Sequence, residues 1–525
     1  MKKNLPGFIL CFSLFLFAST LNAQWATFQK SYGTPGIDCE GYSITSTSDG
    51  GYILGGRKYD GMYNSEMMIV KLNAFGDTLW TRFYGDTALE SALSIVEYAG
   101  GYRVFGNTTS FGFGSGDMMM LELNSQGDSV RSRVYGGPND DFCIGGNTIQ
   151  QTLEGDLIFI GQTNSFGAGL YDMIITRIDV SGNIVWSKTY GGVNSEQQGA
   201  IALTSDRGFA GLGLTTSFGA GGVDFYLVKT DSLGNLLWSK SYGTTNHEYG
   251  FGLIQTSDQG YLLTGMIQYS SGDDDVLVIK TDSLGNIQWS KTYSGPNSEW
   301  AFAAEQIPSG EYIITGRTIS YGNGGEDVFL LRLDATGNMI WSKAYGLNNN
   351  DYAYAVLQTS DGGFIACGTT TGVSTPRNEL FVVKTDINGN SGCNETIAPF
   401  IVQQITLVGA AALTLTGNGC AMNYSSPAKT SGCMIATRCF DVGISEDDLD
   451  DHFEIYPNPS EGIFNLLWKN FADGNLKVYN SIGEEVMRVN DFSDSQIDLT
   501  SYPSGIYLVT LQIGTEMVKK KIVVK

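Results

Sequence analysis

Between residues 25 and 390 the chain repeats one pattern: a short apolar stretch rich in β-branched and aromatic residues, then a break of Gly, Asn, Asp or Ser. Residues from Asp351 to Asp386 show it, with "YAYAVLQTS", the turn Asp361-Gly362-Gly363, "FIACGTT", a loop and "LFVVKTD". Each stretch is too short for a helix face and predicts a strand, and each Asp-Gly-Gly break predicts a tight hairpin turn. In the fifth copy, Ser283-Leu284-Gly285-Asn286 leads into a further strand, "IQWSKTY". Four antiparallel strands per unit follow.

The unit recurs. Tyr32, Tyr84, Tyr135, Tyr190, Tyr242, Tyr293 and Tyr345 end equivalent strands, each followed by Gly except Tyr293, and their spacings are 52, 51, 55, 52, 51 and 52. The seventh copy lacks a fourth strand, continuing as "INGNSGCNE", whereas the segment from Trp25, "WATFQKSYG", is a fourth strand without three predecessors. Each end supplies what the other lacks, and their pairing would leave no open sheet edge. The expected fold is therefore all-β: a seven-bladed β-propeller over residues 24–390, closed by the N-terminal strand.

Several columns repeat within the unit. Four residues before the Tyr stand Phe28, Trp80, Trp186, Trp238, Trp289 and Trp341, read as packing between blades. A base stands two before it (Lys30, Arg82, Arg133, Lys188, Lys240, Lys291, Lys343) and an acid six after it (Asp38, Glu90, Asp141, Glu196, Glu248, Glu299, Asp351). Another acid precedes the third strand: Glu66, Asp117, Asp172, Asp224, Asp275, Asp327, Glu379. Sevenfold recurrence points to architecture, because catalysis needs one asymmetric constellation. A ring of cation-binding carboxylates is the alternative.

One end of every unit carries only tight turns. The other carries longer loops such as "TTSFGFGSG", "TNSFGAGLY", "TTSFGAGGV" and "TISYGNGGE". Binding is expected at this second end, where Tyr59, Phe111, Phe166, Phe218 and Tyr321 would stack on sugars or anchor a protein partner; packing beneath their own loops is the alternative. Asp273, Asp274 and Asp275 are candidate ligands for Ca²⁺, with a solvated acidic turn as the other reading. No other cofactor is expected.

Composition narrows the function. With 31 basic and 54 acidic residues, net −23, the surface repels phosphate backbones, so nucleic acid is not an expected partner. His247 and His452 are the two histidines, and neither stands in a triad or metal spacing. Met1-Lys2-Lys3, the apolar Phe8 to Phe17 and "ASTLNA" form a signal peptide, with cleavage expected after Ala23 and no transmembrane segment after it is removed. Cys393, Cys420, Cys433 and Cys439 cluster in residues 391–443, expected as a β extension whose disulfide pairing spacing leaves open; Cys39, Cys143 and Cys367 read as buried.

After the acidic lead-in "ISEDDLDDHF", residues 444–525 form a separate small β domain. The segments "EIYPNPSEGIFNL", "LKVYNSIGEEV", "IDLTSYPSGIYLVTL" and "MVKKKIVVK" resemble the type A C-terminal sorting domain of the type IX secretion system, through Pro457, Asn458, Pro459, Gly462, Gly483, Gly505, Tyr507, Lys519, Lys520 and Lys521. That resemblance implies an Ig-like β-sandwich handled by the type IX machinery of a Bacteroidota-type bacterium, and export through periplasm and outer membrane to the surface or the medium. The repeats resemble bacterial propeller repeats reading D-x-x-G-N-x-x-W-x-x-x-Y-G-G, which speaks for fold alone. The expected function is a non-catalytic surface or secreted propeller binding glycan or protein; a secreted polysaccharide-acting enzyme with an acidic pair on the long-loop face is the alternative.

Overall fold

The hairpin turns form for a local reason. Asp282 Oδ1 accepts the N–H groups of Leu284 (2.9 Å) and Asn286 (2.8 Å) while Gly285 takes φ 73°, so the side chain closes the turn on its own backbone. Such turns cut the chain into strands. The computed structural model describes residues 26–34, 36–59, 64–371, 377–412, 415–419, 421–424, 428–430, 434–441, 453–456, 458, 460–468, 475–480, 485–489, 496–513 and 516–525. Among them every regular element is a strand.

Residues Trp25–Asp441 form one compact unit, and Val442–Lys525 belong to a second. The first unit holds seven antiparallel sheets. The first sheet runs Asp38–Ser46, Tyr52–Tyr59, Ser65–Leu72 and Thr78–Gly85, and the next five repeat that order along the chain. The seventh is Asp351–Gln358, Phe364–Thr371, Asn378–Thr385 and then Thr27–Gly33, with Phe28 opposite Lys384 and Tyr32 opposite Leu380. The N-terminal strand thus fills the fourth place of the seventh sheet.

Apolar side chains fill the junctions. Tyr84 and Ile69 of the first sheet meet Ile95 and Tyr102 of the second, and comparable clusters join each sheet to its successor. Phe28, Tyr32 and Val382 of the seventh sheet share a cluster with Leu54, Met68 and Val70 of the first. A polar clamp accompanies each cluster: Tyr190 Oη donates to Gly234 O (2.6 Å), Tyr242 Oη to Gly285 O (2.7 Å) and Tyr293 Oη to Gly337 O (2.6 Å). Trp186, Trp238, Trp289 and Trp341 lie against the same turn glycines, as a packing role requires.

Residues 395–441 belong to the same unit. They run past the sheets in reverse order, adding a fifth strand to each: Glu395–Ile397 to the sixth, Ile401–Gln404 to the fifth, Val408–Ala411 to the fourth, Leu415–Asn418 to the third, Ala421–Tyr424 to the second, Ala428–Thr430 to the first and Met434–Asp441 to the seventh. The belt covers strand edges that would otherwise present unpaired N–H and C=O groups. Ala398, Phe400 and Leu407 anchor it by burial, while Ile401, Val408 and Leu415 point outward. Cys393 is disulfide-bonded and Cys39, Cys143 and Cys367 are buried thiols; Cys420 and Cys433 lie outside the described residues, as do residues 1–25 and 442–452.

In the second unit Phe453–Tyr456, Ile463–Trp468 and Gln496–Asp498 form one sheet, and Glu485–Val489, Asn475–Tyr479, Gly505–Ile513 and Glu516–Val524 another. Phe464, Leu476, Val478, Tyr507 and Ile522 lie between them in one core.

Candidate functional site

The first strands of the seven sheets meet at a cavity of about 370 Å³. Each strand brings one residue to it at the repeat spacing: Tyr42, Leu93, Ile144, Gly199, Phe251, Phe302 and Tyr354. Six of them stand at a β-bulge, because Tyr42 lacks a partner between Gly41 and Ser43, and Leu93, Gly199, Phe251, Phe302 and Tyr354 sit at the equivalent slip. A bulge breaks alternation and re-aims one side chain.

The third sheet breaks instead of bulging. Its first strand splits into Asp141–Phe142 and Ile149–Gln151, and the intervening residues turn inward through Gly145 (φ 79°) and Asn147 (φ 59°). A Cβ on Gly146 would stand 2.7 Å from Tyr42 O, 3.7 Å from Leu93 O and 3.8 Å from Tyr354 O. This segment of the third sheet therefore reaches strands of the first, second and seventh. Asn107 holds it, donating from Nδ2 to Cys143 O (2.9 Å) and accepting at Oδ1 from Cys143 N–H (2.8 Å).

The walls differ. Ring centroids step from Phe251 to Phe302 (5.4 Å), to Tyr354 (4.9 Å) and to Tyr42 (5.4 Å), crossing four sheets with planes inclined by 49° to 50°. Leu93, Phe142, Cys143, Ile144, Gly145, Gly146 and Gly199 line the remainder, with Phe142 its one ring. At the long-loop end stand Arg57, Ser91 and Asn107. Arg57 pairs with Glu40 at 2.9 Å and lies over the rings of Tyr59 (4.2 Å) and Tyr42 (5.6 Å). Tyr42 Oη donates to Glu40 Oε2; burial, then the Glu40 charge, pushes its hydroxyl well above the ordinary range. Beside the wall, Arg317 lies 3.8 Å from the Trp300 ring, and burial pushes Tyr352 up to about 12. Among the described residues lining the cavity none is an Asp or Glu.

The loop aromatics lie apart from this wall. Phe111, Phe166 and Phe218 are half-buried against junction clusters, and a Cβ on Gly137 or Gly192 would meet the Phe166 ring at 2.7 Å or the Phe218 ring at 2.9 Å. Tyr321 is bound to the belt, its hydroxyl donating to Pro399 O (3.1 Å) and its ring packing on Phe400 (5.3 Å). Tyr59 lies beneath Arg57 and is not among the described residues lining the cavity. Phe113, Leu170 and Val193 are the more exposed apolar side chains of these loops.

The recurring acids organise loops. Glu196 accepts Gly192 N–H (2.6 Å) and Thr215 Oγ1 (2.7 Å), while Asp172 accepts the N–H groups of Ala168 (2.9 Å) and Gly169 (3.0 Å). The two acid columns face one another across Gly85, Gly136, Gly191, Gly243 and Gly346, and burial raises several: Asp117 to about 6, Glu299 to about 7 and Asp327 to about 7. Asp274 and Asp275 are consecutive strand residues directed to opposite faces, and Asp274 Oδ2 accepts from Trp300 Nε1 (2.8 Å). Among the described residues no three His, Cys, Asp or Glu side chains converge as a metal centre.

In the second unit Asn458 ties its loop to the last strand, donating to Lys521 O (2.7 Å) and accepting Val523 N–H (2.9 Å). Gly462 takes φ 112°, and Tyr507 Oη donates to Pro503 O (2.6 Å). Gly505, Lys519, Lys520 and Lys521 lie on the paired strands Gly505–Ile513 and Glu516–Val524; Pro457, Pro459 and Gly483 lie outside the described residues.

Residues 454–525 match the family model described as the secretion system C-terminal sorting domain. This is an exported protein, carried by the type IX secretion system to the cell surface or the medium. Over 284 residues the chain is 23% identical to the regulatory protein FlaEY of Caulobacter vibrioides, an alignment covering 45% of this chain and 29% of that one, so less than a third of that relative is spanned. A protein of unknown function from Dyadobacter fermentans is similar in structure at 10% identity, covering 69% of this chain and 100% of its own, with a TM-score of 0.43. Sqt1 of Chaetomium thermophilum is similar at 10% identity over 69% of this chain and 99% of its own, with a TM-score of 0.34.

Proposed function

We propose that residues 26–441 are a closed seven-bladed β-propeller serving outside the cell as a non-catalytic binding protein for a glycan or a surface protein. The closure reading rests on Thr27–Gly33 completing the seventh sheet and on the apolar cluster joining that sheet to the first. The C-terminal sheets are read as the Ig-like sandwich that the secretion machinery handles.

The observation that carries the binding reading is the cavity. It lies among seven first strands with Arg57, Ser91 and Asn107 toward the long-loop end, one side is a continuous aromatic wall, and no carboxylate stands among its described lining residues. Glycoside cleavage needs two carboxyl groups flanking the bond. Glu40, the nearby acid, is held by Arg57 and Tyr42. The exposed Phe113, Leu170 and Val193 extend the same face for a larger partner.

The test is a screen of the mature chain against immobilised glycans and surface-protein extracts, with parallel hydrolysis assays on the same glycans. Binding without turnover is expected. Reducing-end release at an enzymatic rate, or no binding in either arm, overturns the proposal.

A further inference from the structure

We infer that the axial cavity is a sugar site that takes the uncharged terminal pyranose of a glycan, stacked on the wall formed by Phe251, Phe302, Tyr354 and Tyr42. This rests on the binding reading above and names its ligand.

Three observations choose that class. Most of the stacking surface lies on one side: four inclined rings cross four blades, and the remaining apolar lining is Leu93, Phe142, Cys143, Ile144 and three glycines, with Phe142 its single ring. Such a site suits a ring with one apolar face and polar edges. Polar groups stand where those edges would lie, since Arg57, Ser91 and Asn107 occupy the long-loop end. Arg57 is held in place by Glu40 at 2.9 Å and by stacking on Tyr59, so its fork is preorganised.

Charge and size narrow the class. Among the described residues lining the cavity Arg57 is the one formally charged, and Glu40 matches its charge, so a uronate or sialate carboxylate would find no uncompensated cation. At about 370 Å³ the cavity lies near the lower end of the ~300–1,000 Å³ usual for small-ligand sites. The inward segment beside Gly146 reaches the first, second and seventh blades, which blocks threading of a polymer along the axis. A chain end enters, and the interior of a chain does not.

The asymmetry comes from departures within the repeat. The third copy is longer, with a Tyr-to-Tyr spacing of 55, and its extra residues become the inward segment. The column residue is aromatic in the first, fifth, sixth and seventh copies and aliphatic or Gly in the others.

The experiment titrates the mature chain with cellobiose, mannobiose, galactobiose and chitobiose, with galacturonate and indole as class controls, followed by calorimetry and intrinsic fluorescence. At least one neutral disaccharide is expected to bind, and Phe302→Ala to weaken it at least about tenfold. Ile144→Trp narrows the cavity from a half-exposed position, so it should abolish binding while the thermal midpoint holds, and Leu284→Ala, in an exposed tight turn, should leave affinity unchanged. If neutral sugars bind equally well to Phe302→Ala and Ile144→Trp, the cavity assignment falls while the binding protein stands. Binding of galacturonate or indole in preference to every neutral sugar overturns the ligand class. If nothing binds here or in the wider screen, the functional reading itself fails.

Discussion

The hydroxyl of Tyr32 donates to the carbonyl of Gly76 at 2.6 Å, joining the N-terminal strand in the seventh sheet to the third-to-fourth turn of the first. It is the same clamp that Tyr190 makes to Gly234 at 2.6 Å between the third and fourth sheets. Removing the Tyr32 hydroxyl strands a buried carbonyl, so Tyr32→Phe should cost about 1–3 kcal/mol, the same as Tyr190→Phe, by urea denaturation. A negligible effect at Tyr32 alone would mean the seam contributes nothing to stability.

The belt covers the outer edges of the fourth strands. In a chain ending at Asn390, amides of Ile184–Gly191, Leu236–Gly243 and Ile287–Ser294 should exchange faster by at least about tenfold, and buried second-strand positions such as Ile160 and Leu212 should change little. Equal protection with and without the belt would contradict an edge-covering role.

Stability should peak near pH 4. Burial raises Asp117 and Asp275 to about 6 and Glu299 and Asp327 to about 7, against an unfolded value of about 4, so the native state holds more protons between about pH 4 and 7. Stability therefore falls as pH rises through that window. Asp49 works the other way: burial opposes it, but hydrogen bonds from Lys71, Thr47 and Gly51 hold it at about 2, and its contribution is lost on acidification below about pH 4. Thermal midpoints at pH 2, 4 and 8 test both slopes; a higher midpoint at pH 8 than at pH 4 would refute the first.

Gly136 stands between two acids. A Cβ there would lie 1.6 Å from Asp117 Oδ1 and 3.2 Å from Asp141 Oδ2, so Gly136→Ala should destabilise by about 3 kcal/mol or more. Gly50, at φ 82° with open space around it, should lose only about 1–2 kcal/mol on the same change. Comparable losses would mean backbone conformation, and not the facing acids, sets the requirement.

Burial pushes the Cys39 thiol up to about 11 and raises Cys367 further still. Neither should react with iodoacetamide in the native protein at pH 8, and both should label after unfolding, by peptide mass spectrometry. Native labelling would indicate opening of the junction between the first and seventh sheets.

The period of the Tyr-Gly strands, four strands per unit, the strand borrowed from the N-terminus and the C-terminal sorting sequence were legible without coordinates, because each depends on local pattern repeated along the chain. The Trp column was legible for the same reason, each ring lying on a turn glycine one sheet away. The cavity was not. Alternation does not show which way Tyr42, Phe251, Phe302 and Tyr354 point, since each stands at a bulge whose slip is set by pairing with the next strand. The spacing of 55 marked the third copy as irregular, but only the converging strands show those residues turning inward. Of the belt only a β extension was legible and not its course, because six of its seven strands have just three or four residues, carry no period of their own and take their register from edges far away in sequence. Sequence alone determined what repeats locally; tertiary structure decided what depends on where seven nearly equal sheets differ, because burial and edge pairing are set by neighbours the chain brings together only on folding.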